Sequence, residues 1–123
     1  EPEGARLLVA RGEEALEALA TKEGQTVALK VADNLCTAGA LRPGEAFVRR
    51  WAGRAAEELG AAHRATLGAE RRLADLLFYQ GQLAEARRLY DNVIAGCTES
   101  LGPGDTLRAK VNLAILLQQQ GQV

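Results

Sequence analysis

The chain has 123 residues, enough for one domain, and its 47% hydrophobic and 25% charged residues argue against intrinsic disorder. Aromatic residues make up only 4% and the apolar content is mostly Ala, Leu and Val, which favours helices over strands. Fifteen basic residues against sixteen acidic ones give a net charge of -1, so neither nucleic acid nor an anionic membrane is expected as a partner.

Six helices are predicted in chain order, at about 3–20, 25–38, 44–59, 64–80 and 83–100, with the last from about 103 onward. The fourth is amphipathic, because Leu67, Leu73 and Leu77 lie on one face of a helix. Gly81 then supplies a left-handed residue that ends it, and the fifth helix follows at once as an antiparallel hairpin. A Gly-Pro-Gly break precedes the sixth helix, which Asp105 or Thr106 can cap.

Three segments of the chain repeat one another. Val31–Leu41 aligns with Leu73–Leu83 at an offset of 42 positions, and Leu73–Leu83 aligns with Leu113–Val123 at an offset of 40. The alignment matches an apolar-Ala pair, a Leu and a Gly in each segment, and the offset of 42 also joins Phe47 to Leu89. Such periodicity is typical of stacked helical hairpins.

The repeat divides the single domain 1–123 into units. Residues 3–22 are predicted to be the second helix of a preceding unit, because Glu3–Leu8 matches Glu85–Tyr90 at an offset of 82. Unit 1 is 23–62, unit 2 is 63–102, and 103–123 is the first helix of unit 3. The array is then cut in mid-repeat on both sides, so we expect further chain, an oligomer or a partner to cover its outer helices.

Four motifs carry a family resemblance. They are Asn112-Leu-Ala-Ile-Leu116 followed by Gly121, Ala84-Glu-Ala-Arg-Arg-Leu-Tyr90, the linker Leu101-Gly-Pro-Gly104, and His63 at the linker histidine position. With them the chain resembles tetratricopeptide repeat proteins, in particular the long-helix type of kinesin light chains and nephrocystin-like proteins. The resemblance implies an all-α fold, a right-handed α–α superhelix of about six antiparallel helices.

Unit 1 departs from the family pattern at three positions. Pro43 and Gly44 replace the usual Glu-Ala at the start of its second helix, where a proline is tolerated because a first-turn N–H would be unpaired anyway. Trp51 stands where a small residue is usual, and it is interpreted as a core plug, with an interface anchor as the alternative.

No catalytic or cofactor chemistry is predicted. The sequence holds no phosphate-binding Gly-rich loop, and two cysteines and one histidine on different helices propose neither a nucleophile pair nor a metal site. Cys36 and Cys97 are interpreted as packing residues, and His63 as a cap or a bridge between units. The chain is therefore expected to be no enzyme and to need no cofactor.

The compartment is constrained only by the cysteines and by hydropathy. Two distant cysteines favour a reducing intracellular compartment, either the cytoplasm or an organelle matrix or stroma. No apolar run approaches the length of a transmembrane helix.

The resemblance places a binding groove on the concave side, which the first helices of the units line. One position, immediately before the apolar-Ala pair, holds a hydrogen-bond donor in every unit and would form a donor ladder for peptide carbonyls or acidic side chains. The ladder and its flanking positions comprise Lys30, Asp33 and Thr37, then Arg72, Asp75 and Tyr79, then Arg108, Asn112, Ile115 and Gln119.

The favoured function is a non-catalytic scaffold that binds a peptide segment or a partner subunit through this groove. Two alternatives stay open: a structural accessory subunit of a larger assembly, which packs through its convex face, and the regulatory repeat region of a longer protein.

Overall fold

The computed structural model describes residues 3–96 and 103–121. These residues form six helices joined by short turns: α1 Glu3–Leu16, α2 Lys22–Thr37, α3 Leu41–Leu59, α4 Arg64–Tyr79, α5 Leu83–Gly96 and α6 Pro103–Gly121. Every regular element in the described residues is a helix, which confirms the all-α fold class. Cys97 and Leu101-Gly102, to which the sequence assigned packing and linker roles, lie outside the described residues. The division of the helices into units stays a prediction.

The boundaries between α1, α2 and α3 differ from the predicted ones. The predicted first helix reaches about residue 20, whereas α1 ends at Leu16 because the next backbone N–H groups bond only three residues back, Ala18 to Ala15 at 2.9 Å. Thr21 caps α2 by accepting from the Gly24 N–H at 3.0 Å, so α2 begins at Lys22 rather than near 25. α3 begins at Leu41, and Pro43 lies in its first turn as expected.

Glycine terminates the first helix of each complete hairpin. Gly39 follows α2 with φ of 76° and Gly81 follows α4 with φ of 81°. These backbone angles lie in the left-handed region that glycine adopts without steric cost. The tight turns fold α3 back on α2 and α5 back on α4, as the sequence predicted.

The helices are arranged in two layers around a shared core. α4 contacts both α2 and α6, so these three helices form a first-helix layer. α3 contacts α1 and is joined to α5 by the ion pair of Arg49 with Glu85, so α1, α3 and α5 form the second-helix layer. Large buried side chains from both layers make the core, among them Leu16, Leu35, Phe47, Leu76, Leu77 and Tyr90. Gly12 of α1 allows α3 to approach closely, since a Cβ there would lie 2.4 Å from a Phe47 ring carbon.

Trp51 is the largest side chain between α3 and the first-helix layer. Only 3% of its surface is exposed, and its ring stacks at 6.4 Å on Phe47. The interpretation of Trp51 as a core plug is therefore confirmed.

Candidate peptide-binding face

The predicted site residues lie on three parallel helices of one layer. On each helix the spacing between neighbouring site residues follows the series four, three and four, or a part of it. This spacing places them along a single stripe of the helix surface. We call the surface made by the three stripes the first-helix face: Thr26, Lys30, Asp33 and Thr37 on α2, Gly68, Arg72, Asp75 and Tyr79 on α4, and Arg108, Asn112, Ile115 and Gln119 on α6.

Two of the three donors in the predicted ladder are bound within the chain. Arg72 Nε donates to Asp33 Oδ1 at 3.0 Å, and Asn112 Nδ2 donates to Asp75 Oδ1 at 2.9 Å. Each bond joins one stripe to the next, so the predicted residues do come together. Lys30 is exposed, and its ammonium has no bond to the part of the chain that the structure describes. The ladder is thus mainly a set of cross-links between neighbouring helices.

Asp75 lies at the centre of a polar network that joins α4, α5 and α6. Its other oxygen, Oδ2, accepts from Arg71 Nη1 at 2.8 Å, and the Tyr90 hydroxyl donates to Oδ1. Arg71 is only 4% exposed, so Asp75 neutralises a charge that water hardly reaches. Burial, followed by the bond to Asp75, raises the pKa of Tyr90. This carboxylate is committed to holding three helices together and is not free for a ligand.

A cleft opens on the same face between the N-terminal halves of α2 and α4. Its volume is about 490 Å³, and the residues lining it include three cations and no carboxylate. We call it the basic cleft, defined by Lys22, Gln25, Leu29, Trp51, Arg64 and Arg72. The sequence pattern did not predict this site, although a signal was present: Lys22 and Arg64 occupy the same first helical position at the offset of 42.

The wall of the basic cleft contains an unsatisfied donor. Trp51 Nε1 is buried and has no hydrogen-bond partner among the described residues. Leaving a buried N–H unpaired costs about 1 to 3 kcal/mol. Arg72 is already paired with Asp33, whereas Lys22 and Arg64 are exposed at the rim with no side-chain partner in the described chain.

Residues 64–123, which contain α4, α5 and α6, match the family model of the tetratricopeptide repeat. The chain is a tetratricopeptide-type repeat protein. Repeats of this family generally mediate protein–protein interaction and typically serve as non-catalytic scaffolds. The kinesin-light-chain subtype stays a prediction. No curated protein matches the chain significantly.

The first-helix face also presents an aromatic side chain beyond the basic cleft. Tyr79, at the C-terminal end of the α4 stripe, is 68% exposed, and its ring lies 5.7 Å from that of Phe78. Exposed aromatic side chains on a polar surface are frequent anchors in protein interfaces. The first-helix face therefore combines a basic cleft at one end of α4 with an aromatic side chain at the other.

A larger cavity, of about 760 Å³, lies on the opposite side of α2 and is apolar. It opens where α1, the end of α2 and the start of α3 meet, beside Leu8, Ala38 and Leu41. The equivalent position of Ala38 in the next repeat is Gln80, which reaches across and donates to Glu45 at 2.9 Å. The cavity offers no charged group for recognition except Arg42.

The remaining candidate groups have structural roles. Burial, and to a smaller extent the carboxylates of Asp33 and Asp75, raise the pKa of the Cys36 thiol, which lies packed against the core. His63 caps α4, because its Nδ1 accepts from the Ala65 N–H at 3.0 Å. Within 3–96 and 103–121, no group of three or more His, Cys, Asp or Glu side chains is placed to hold a metal ion.

None of the helices in the described residues combines the length and the apolar character needed to cross a membrane.

Proposed function

We propose that the chain is a scaffold module whose first-helix face binds an extended, acidic peptide segment of a partner protein. A carboxylate of the segment enters the basic cleft and pairs with Lys22 and Arg64 at its rim. The segment continues along α4 towards Tyr79, which packs against an apolar side chain of the ligand.

The observation that carries this proposal is the imbalance of charge in the basic cleft. Several arginines elsewhere on the surface are paired, among them Arg49 with Glu45 and Glu85, and Arg54 with Glu17 and Glu58. Lys22 and Arg64 instead face a cavity that contains no carboxylate. Cations placed at a concave surface without counter-charges favour anionic ligands and raise their association rate.

Two further features support a carboxylate as the ligand group. Lys22 and Arg64 are the first residues of α2 and α4, so the positive ends of two helix dipoles also point towards this region. Trp51 also lines the cleft, and its indole N–H, which is unpaired among the described residues, can pair only with an acceptor. An acidic side chain provides both the charge and the acceptor.

Fluorescence anisotropy with a labelled peptide rich in Asp and Glu tests the proposal, and the same peptide with Asn and Gln in their place is its control. We expect the acidic peptide to bind and the amide peptide to bind at least about tenfold more weakly, with the difference shrinking in high salt. Trp51 is the only tryptophan of the chain, so its emission should change on binding.

A pair of variants locates the site. The double substitution K22Q/R64Q should weaken binding by about tenfold to a hundredfold. The matched control R6Q/R87Q removes two exposed cations from α1 and α5 and should bind like the parent. Equal binding of both peptides, or parental affinity of K22Q/R64Q, contradicts the proposal. A complete lack of binding would favour the structural-subunit alternative, in which the other layer does the packing.

A further inference from the structure

Helix α6 exposes a row of side chains whose counterparts in α4 are buried. At the offset of 40, the buried residues Leu67, Arg71, Ala74 and Leu77 correspond to Leu107, Val111, Ala114 and Leu117. Leu107 is 62% exposed, whereas Leu67 is 3% exposed. α5 buries part of this row on α4, because the Gly96 backbone lies against the Leu67 side chain. We call these four residues of α6 the acceptor row.

The acceptor row is more apolar than its counterpart in α4. Val111 replaces the charged Arg71, and next to the row Ile115 replaces Asp75. The polar network that ties α4 to α5 through Tyr90 therefore has no equivalent on α6. The helix that covers α6 must present an apolar side chain at the position of Tyr90.

Helix α1 presents such a face. At the offset of 82, the residues through which α5 is buried, Ala86, Leu89, Tyr90 and Val93, correspond to Gly4, Leu7, Leu8 and Arg11. Leu7 is 55% exposed although its counterpart Leu89 is buried. The Tyr90 position holds Leu8, which suits Ile115. We call the four residues of α1 the donor row.

We propose that two copies of this chain associate end to end, with the donor row of one copy packed on the acceptor row of the next. The two helices then form in trans the antiparallel hairpin that α4 and α5 form within the chain. This inference concerns the outer helices and is independent of the peptide ligand proposed for the first-helix face.

Charge at one end of the contact also favours a second copy as the occupant. Residues 3–17 carry four carboxylates, of which Glu13 and Glu17 pair with Arg50 and Arg54 of α3 and Glu14 pairs with Arg11, whereas α6 carries one carboxylate and two basic residues. Antiparallel packing places Arg108 near the C-terminal half of α1, where Glu14 is well exposed. Two features oppose the contact. Lys110 and Arg6 occupy the positions of Glu70 and Arg88, which attract each other within the chain, and the charged Arg11 occupies the position of the buried Val93.

The resulting contact is heterologous, because each copy uses a different face at each end. Such contacts lead to open chains of copies rather than to closed dimers. Sedimentation velocity of the 123-residue chain, from about 10 μM to about 1 mM, should show a weight-average mass that rises continuously with concentration. A mass that stays monomeric over this range overturns the proposal and assigns both rows to other partners.

Blocking one end at a time provides the decisive experiment. L7E blocks the donor row and L107E blocks the acceptor row, and both residues are exposed, so circular dichroism should report an unchanged fold. Each variant alone should be monomeric, while an equimolar mixture should form a dimer and nothing larger. Association of L7E by itself would show a symmetric contact between acceptor rows and contradict the proposal.

Two further variants test specificity and register. V27E places the same charge on an exposed apolar residue of α2, outside both rows, and should associate like the parent. K110E converts the opposing pair with Arg6 into an attractive one and should strengthen association by about threefold. Weaker association of K110E would contradict the antiparallel register.

Discussion

Asp75 of α4 accepts a hydrogen bond from Asn112 of α6 at 2.9 Å, and the carboxylate one repeat earlier, Asp33, accepts from Arg72 at 3.0 Å. The same position therefore links adjacent first helices twice. The two sites differ in their surroundings, because 57% of the Asp33 side chain is exposed and 21% of that of Asp75. Asp75 also pairs with the buried Arg71, whose counterpart in the earlier repeat is Leu29.

Replacement of Asp75 by Asn should reveal the buried network as a major contribution to stability. The amide keeps the shape of the side chain but leaves the Arg71 charge without a counter-charge, so D75N should lower the free energy of unfolding by roughly 3 kcal/mol. Urea denaturation followed by circular dichroism measures the loss.

D33N is the matched control at the equivalent position. Its ion pair with Arg72 is exposed to solvent and screened, so its free energy of unfolding should fall by less than about 1 kcal/mol. Similar losses in D75N and D33N would show that Arg71 is stabilised by other means.

Gly24 and Gly53 should respond to alanine in opposite directions. A Cβ at Gly24 would lie 2.0 Å from the carbonyl oxygen of Ala18, and this backbone atom belongs to the tight turn that Thr21 closes. A Cβ at Gly53, in the middle of α3, meets nothing within 4 Å. G24A should be destabilised by about 2 kcal/mol or more, while G53A should gain up to about 1 kcal/mol through the helix propensity of alanine. Thermal unfolding of both variants under the same conditions provides the comparison, and a neutral G24A would mean that the turn moves aside.

Thr21 and His63 occupy one repeat position, at the offset of 42, and both cap the helix that follows. H63A removes the acceptor for the Ala65 N–H and should cost about 1 kcal/mol of stability. H63T installs the cap that unit 1 uses and should remain within a few tenths of a kcal/mol of the parent. Denaturant titration of the two variants separates capping from packing, since a large loss in H63T would show that the imidazole ring itself packs against the linker.

The repeat predicted the number and order of the helices well, because their apolar spacing and the turn glycines Gly39 and Gly81 are local signals. Periodicity predicts the start of α2 three residues too late, since a threonine cap depends on a hydroxyl geometry that periodicity does not show. The predicted α1 was too long for the same reason, because the turn around Ala18 is closed by the Thr21 side chain as well as by backbone bonds.

The sequence predicted which face carries the candidate site, but it did not predict which residues pair across that face. Equivalent residues are 42 positions apart in units 1 and 2, whereas Asp33 reaches Arg72, which is 39 positions on. That stagger arises from how α2 and α4 lie side by side, and only tertiary structure determines it. The basic cleft was missed because its wall includes Trp51 from α3, which meets Lys22 and Arg64 only in the folded chain.

Tyr90 should resist ionisation as long as the fold persists. Its pKa is raised by burial and by the bond that its hydroxyl donates to Asp75. The folded state therefore favours the neutral phenol. The resulting contribution to the free energy of unfolding is complete below the pKa of an unfolded tyrosine, about 10, and is lost as the pH rises above that value. The chain has two tyrosines, so Y79F leaves Tyr90 as the only one that titrates.

In Y79F, tyrosinate absorbance should appear only together with the loss of helical circular dichroism, as one alkaline unfolding transition. In concentrated urea the same variant should titrate near the ordinary value of about 10, which shows that the delay comes from the folded network. Reversible tyrosinate formation at that pH with native helical signal would contradict the enclosed position of the hydroxyl. D75N in the Y79F background removes the charge that opposes tyrosinate, so its ionisation and unfolding should both move to lower pH, because the weakened fold opens earlier.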